Sequence, residues 1–168
     1  MKIKIILIAI FVALGMCACS NSEQEGTVQL TNCLQTGFTS ERVCAISHFQ
    51  AFGSEIYINR MVRISGYVAD VNVGGDRNRL LFFSREQAEM QNAQGGIGIG
   101  EFSPLVKPSR ISTYKNIVQS REVRPVELVG RLTRNTSSGL AQPALTLTDL
   151  VGAREIVTAA EMASVVGN

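Results

Sequence analysis

Apolar positions recur along this chain in three patterns: one solid block, several alternating runs and a few helical stripes. The block is Ile5 to Met16. The clearest alternating run is Met61 to Val71. In it Val62, Ile64 and Val68 fall on one face and Arg63, Ser65 and Tyr67 on the other, the period of a half-buried strand. Gly66 interrupts the inward face and predicts a bulge or a strong bend there. Val73 to Asn78 reads as a turn, and Arg79 to Phe83 as the returning strand of a hairpin. Ile97 to Glu101 predicts a third strand with small residues on one face. Val126, Leu128 and Leu132 mark a fourth, with Gly130 on its inward side. A turn at Asn135 to Gly139 then leads into a fifth strand over Leu145 to Thr148.

Helical spacing appears between these runs. Residues 40–52 read as a helix: Ser40 can cap it, Glu41 suits its positive end, and Ala45, Phe49 and Phe52 follow an i, i+4, i+7 stripe before Gly53. Ser84 and Gln87 form a capping box, predicting a short helix from Arg85 to about Ala93. Pro104 and Pro108 punctuate a loop, and Ser109 starts a helix with Ile111, Tyr114 and Val118 in line. Thr158 and Glu161 form another capping box, with Met162 and Val165 apolar and Gly167 at the end. The order of strand, strand, strand, helix, strand, strand predicts a mainly β chain with short helices (α+β). It is the layout of an OB-fold-like five-stranded Greek-key barrel with a helix between strands 3 and 4, plus N- and C-terminal helices. A mixed-sheet α+β sandwich is the competing arrangement.

The apolar block is shorter than the roughly 20 residues that span a bilayer core. With Lys2 and Lys4 before it, it has the form of a signal peptide. It ends in Met16-Cys17-Ala18-Cys19, which resembles the bacterial lipobox, with small Ala18 before the modified cysteine. Cys17 is the poorer candidate because Met16 would precede its cleavage point. The resemblance implies a signal peptide at 1–18 and acyl chains on Cys19 that make the membrane a partner. A lipidated cysteine, tether and leading loop then occupy 19–37, and the barrel with its flanking helices 38–168. No aspartate follows Cys19, which by the same resemblance implies the periplasmic face of the outer membrane in a bacterial envelope.

Charge then narrows the function classes. Loss of residues 1–18 takes away two of the 16 basic side chains and none of the 14 acidic ones, so the remainder balances. Bulk nucleic-acid binding rests on excess positive charge and is disfavoured. Cys33 and Cys44 are the cysteines left outside the lipobox, and in an oxidising compartment they read first as a disulfide. A sharper alternative puts Cys44 and His48 on one helical face, as half of a metal site or an activated thiol; spacing supplies no third ligand. The run Gly95 to Gly100 lacks the helix that a phosphate loop needs directly after it, and no nucleophile elbow or zinc-protease motif occurs. No cofactor is implied.

Four segments, Ala45–Phe52, Val62–Val68, Leu80–Ala88 and Val126–Leu132, resemble a family of exported bacterial OB-like proteins of unknown function. The resemblance implies a non-catalytic, membrane-anchored binding or scaffold module whose protein or polymer partner is unknown. OB domains bind through the strand 2–3 face and two flanking loops, here Asn72–Asn78 and Arg134–Pro143. Arg77, Arg79 and Arg134 are their cations, and Tyr67 is a further candidate contact. Oligonucleotide or glycan binding, and a thiol-redox or metal activity at Cys33, Cys44 and His48, are the alternatives.

Overall fold

The fold is known from a computed structural model, which describes residues 32–35, 40–73, 76–91, 95–136 and 143–157. The signal peptide, the lipobox, the tether before Asn32 and the C-terminal helix expected after Thr158 lie outside the described residues.

One strand organises the rest. β3 (Met61–Val73) carries the alternating run and serves two partners in succession. Its first part pairs antiparallel with β6 (Arg124–Arg134), from Met61 opposite Arg131 to Val68 opposite Arg124. Its second part pairs antiparallel with β4 (Asp76–Phe82), from Tyr67 opposite Phe82 onward. β4 passes to β5 (Ile97–Ile99), β5 pairs parallel with β7 (Leu145–Glu155), and β7 returns antiparallel to β6. The circuit β3-β4-β5-β7-β6-β3 is a closed five-stranded barrel with OB-fold strand order.

The inward face is the one the alternation assigned. Val62, Ile64, Val68, Val126, Leu128 and Leu132 are all buried in one cluster. The two inward glycines sit where backbones crowd together. A Cβ on Gly66 would lie 2.3 Å from the Phe82 carbonyl oxygen, and one on Gly130 2.9 Å from that of Thr148. At Gly130 the β6–β7 register also shifts, as a bulge does.

The first helix is shorter than expected. Arg42–Ala45 forms a strand, β2, and α1 spans only His48–Gly53. The reason lies in Ser47 and Gln50. The Ser47 hydroxyl accepts from the Gln50 amide at 3.2 Å, and the Gln50 carboxamide accepts from the Ser47 amide at 2.8 Å. This capping box starts the helix at His48 and frees the preceding residues to pair with β1 (Cys33–Gln35) on one side and β3 on the other. β1 falls within the stretch expected to be leading loop, and it forms the edge of a sheet that has seven strands in all. Cys33 lies opposite Cys44 and the two are joined by a disulfide.

α2 (Arg85–Glu89) begins at the expected Ser84 cap but stops early, where Gln91 takes a left-handed backbone. α3 (Pro108–Val118) starts one residue before Ser109, with Pro108 in its first turn. β4 also starts earlier than expected, taking in Asp76 to Asn78.

Gly66→Ala should therefore cost about 2–3 kcal/mol, because backbone rather than a movable side chain blocks the added methyl. Gly53→Ala, with open space around it, should stay within about 1 kcal/mol of the parent. Urea unfolding of both variants checks the contrast.

Candidate binding cleft

Beyond Gly98 the paired β4–β5 ladder ends, and the chain leaves β5 through Gly100 and Glu101 toward α3. That departing segment is fastened to β7. The amides of Gly100 and Ser103 donate to the carbonyls of Leu147 and Leu150, each at 2.8 Å. Phe102 stacks on Tyr114 of α3, ring centroids 5.8 Å apart and nearly parallel. The helix is thus held off β4, and a cleft of about 510 Å³ opens between them. Its apolar lining comes from Ile99, Phe102, Ile111 and Val118, and its polar lining includes Glu101, Lys115 and Gln119.

Arg79 closes one wall. Its Nε and Nη2 donate to the two Asp70 carboxylate oxygens at 2.6 and 2.9 Å, and its Nη1 donates to the Val118 carbonyl at the end of α3. A guanidinium suits that position twice, through the forked carboxylate pair and the negative end of the helix dipole. One side chain therefore ties β3, β4 and α3 together. The Arg79 hydrogen bond holds the Asp70 carboxyl below its ordinary range against the opposing effect of burial, with further help from the charges of Arg79 and Arg77. Lys115 and Glu101 are exposed on the cleft margin. Neither forms an ion pair among the described residues, so one charge of each sign is presented to a ligand.

Of the four residues singled out from sequence, only Arg79 lines this cleft. It and Arg77 stand in β4 rather than in a loop. Arg77 is exposed there. Arg134 ends β6 and pairs with Glu55 of the short 3-10 turn Glu55–Tyr57. Tyr67, opposite Phe82, is half-buried against the satellite cluster of Val71, Leu80 and Phe82. The apolar lining on α3, Ile111 and Val118, belongs to the stripe the spacing picked out, and nothing in that spacing marked Lys115 as its neighbour on a cleft.

Cys44 and His48 do not share a helical face as expected. Cys44 is in β2, not on a helix with His48, and its sulfur is bonded to Cys33. No group of three metal-capable side chains occurs among the described residues. His48 opens α1 and is buried, with Nε2 3.1 Å from the Leu81 carbonyl oxygen and Nδ1 without a hydrogen bond among the described residues. Burial lowers its pKa from 6.5 to about 4, and the backbone of Leu81 and Gly95 acts more weakly in the opposite sense. The neutral ring is what the fold accepts.

Compared with known families and with curated proteins, the sequence matches no family model and no curated protein.

Two outcomes follow from these contacts. Arg79→Gln should raise the Asp70 carboxyl pKa and cost about 1–2 kcal/mol, given how exposed the carboxylate is; carboxyl-carbon NMR titration and urea unfolding read the two effects. For His48, a folded pKa below the unfolded one means that stability is full above pH 6.5 and falls as pH drops toward 4. The loss levels off below that at about 3 kcal/mol. The pH dependence of unfolding for the parent minus that for His48→Gln isolates this contribution from the carboxylates.

Proposed function

We propose that this chain is a lipid-anchored, non-catalytic module of the bacterial envelope that binds its partner in the cleft between β5 and α3. The observation that carries the reading is the cleft itself: a preformed space of about 510 Å³ with a fixed apolar floor and uncommitted charges at its margin. Its volume lies within the usual range of ligand pockets, roughly 300–1,000 Å³. It adjoins the strand 2–3 face by which OB domains bind. Its one cation among the barrel strands is already matched by Asp70, which favours a partner of mixed or low charge, a peptide-bearing or glycan polymer, over a polyanion. The Met16–Cys19 segment supports the anchor, and a disulfide between Cys33 and Cys44 suits an oxidising compartment.

In a bacterial host, the parent chain should take up labelled palmitate and sediment with membranes, whereas Cys19→Ala should be unlabelled and soluble. Ile111→Glu places a charge on the half-buried cleft wall and should reduce copurification of envelope partners roughly tenfold, with the unfolding midpoint little changed. A parent chain that stays unlabelled in the cytosol overturns the anchor. Recovery of the same partners with Ile111→Glu overturns the cleft.

A further inference from the structure

Residues 43–54 contain no Asp, Glu, Lys or Arg. This uncharged stretch, bounded by Arg42 and Glu55, carries two aromatic rings out to the surface. Phe49 is 85% exposed and Phe52 39%. A third ring joins them from β4's end: Phe83, 42% exposed, lies 6.4 Å from the His48 ring, and Phe52 lies 5.9 Å from it on α1. Core packing does not explain rings left this open. His48, wedged beneath Phe52 and Phe83, is buried and neutral, so the patch presents no charge from below.

The described chain begins beside this patch. The Asn32 carboxamide donates to the Ala45 carbonyl at 2.6 Å, and the Ala45 amide donates to the Asn32 carbonyl at 3.0 Å. The Cys33–Cys44 disulfide fixes the same junction, and α1 starts three residues after Ala45. Residues 20–31 separate Cys19 from that junction, a reach of at most about 45 Å at full extension.

We propose that Phe49, Phe52 and Phe83 form a lipid-docking patch that seats the domain on the bilayer holding its own Cys19 anchor. The inference rests on the lipoprotein reading above. Phe49 and Phe52 lie in a stretch without charge, and Arg85, two residues past Phe83, is paired with Glu89; rings so placed are suited to the headgroup–acyl boundary, where an unpaired buried charge would be costly. The tether supplies the remainder. Linking patch and membrane makes docking intramolecular, so a contact too weak to hold a free protein suffices. Phe49 projects rather than lining a groove, which suits a deformable lipid surface better than a rigid protein partner.

The chain has no tryptophan, so Phe49→Trp gives a single reporter at the patch. Leu105→Trp gives a comparator at another site, 90% exposed on the loop before α3. The full acylated chain is incorporated into vesicles of phosphatidylethanolamine and phosphatidylglycerol, with and without brominated acyl chains. The indole at position 49 should be blue-shifted and quenched roughly twofold or more above the one at position 105. Adding Phe52→Ser and Phe83→Ser should remove the difference. If the chain floats with the vesicles but both indoles are quenched alike, the docking proposal fails and the anchor stands. A chain that does not float overturns the anchor, and the docking with it. A shift at position 49 that follows protein concentration at fixed lipid identifies a second copy of the chain as the occupant and equally overturns the proposal.

Discussion

The close approach of β3 to β4 at Gly66 is the constraint on which the barrel depends. β3 must leave β6 and take up β4 within a few residues, around Tyr67 and Val68, which pair on both sides. A strand that changes partners bends sharply, and here the bend presses its backbone against the Phe82 carbonyl. Only a residue without a Cβ fits. Gly130 plays the corresponding part where β6 meets β7, next to a register shift. The walls of the candidate cleft are placed by those two corners. The first sets the course of the β3–β4 hairpin that carries Asp70 and Arg79. The second lets β7 run back along β6, and β7 holds the segment that leads to α3.

Much of this was legible in the sequence because it is local. The alternation in Val62–Val68 and Val126–Leu132 fixed which faces are inward. The two glycines announced the corners, and Ser84 with Gln87 announced a helix start. The β1–β2 hairpin was not legible. Arg42–Ala45 is too short to show a period of its own, and the Ala45–Phe49–Phe52 stripe runs across it as though one helix continued. The decisive signal, Ser47 with Gln50, was present inside that stripe, yet a capping box carries weight only where a helix is already expected to begin. Phe49 and Phe52 continue that stripe in sequence, and the short α1 leaves both on the surface.

The cleft was less legible still, for a different reason. Its walls are joined by the Phe102–Tyr114 stack and by Arg79 spanning from Asp70 to Val118. These contacts join residues far apart in the chain, and no spacing reports them. Arg79, read as a loop cation, is a strand residue whose charge is matched within the fold.

The cystine at the sheet edge has a mechanical consequence. β1 is only three residues long, and a strip of that length would peel away under slight tension. A pull arriving from the residues before Asn32 meets the Asn32–Ala45 hydrogen bonds and then the sulfur bridge, which hands it to β2. From there it spreads into β3 through parallel pairing at Val62 and Arg63. The hydrogen bonds of β1 are bypassed, and the load reaches β2 through a covalent link.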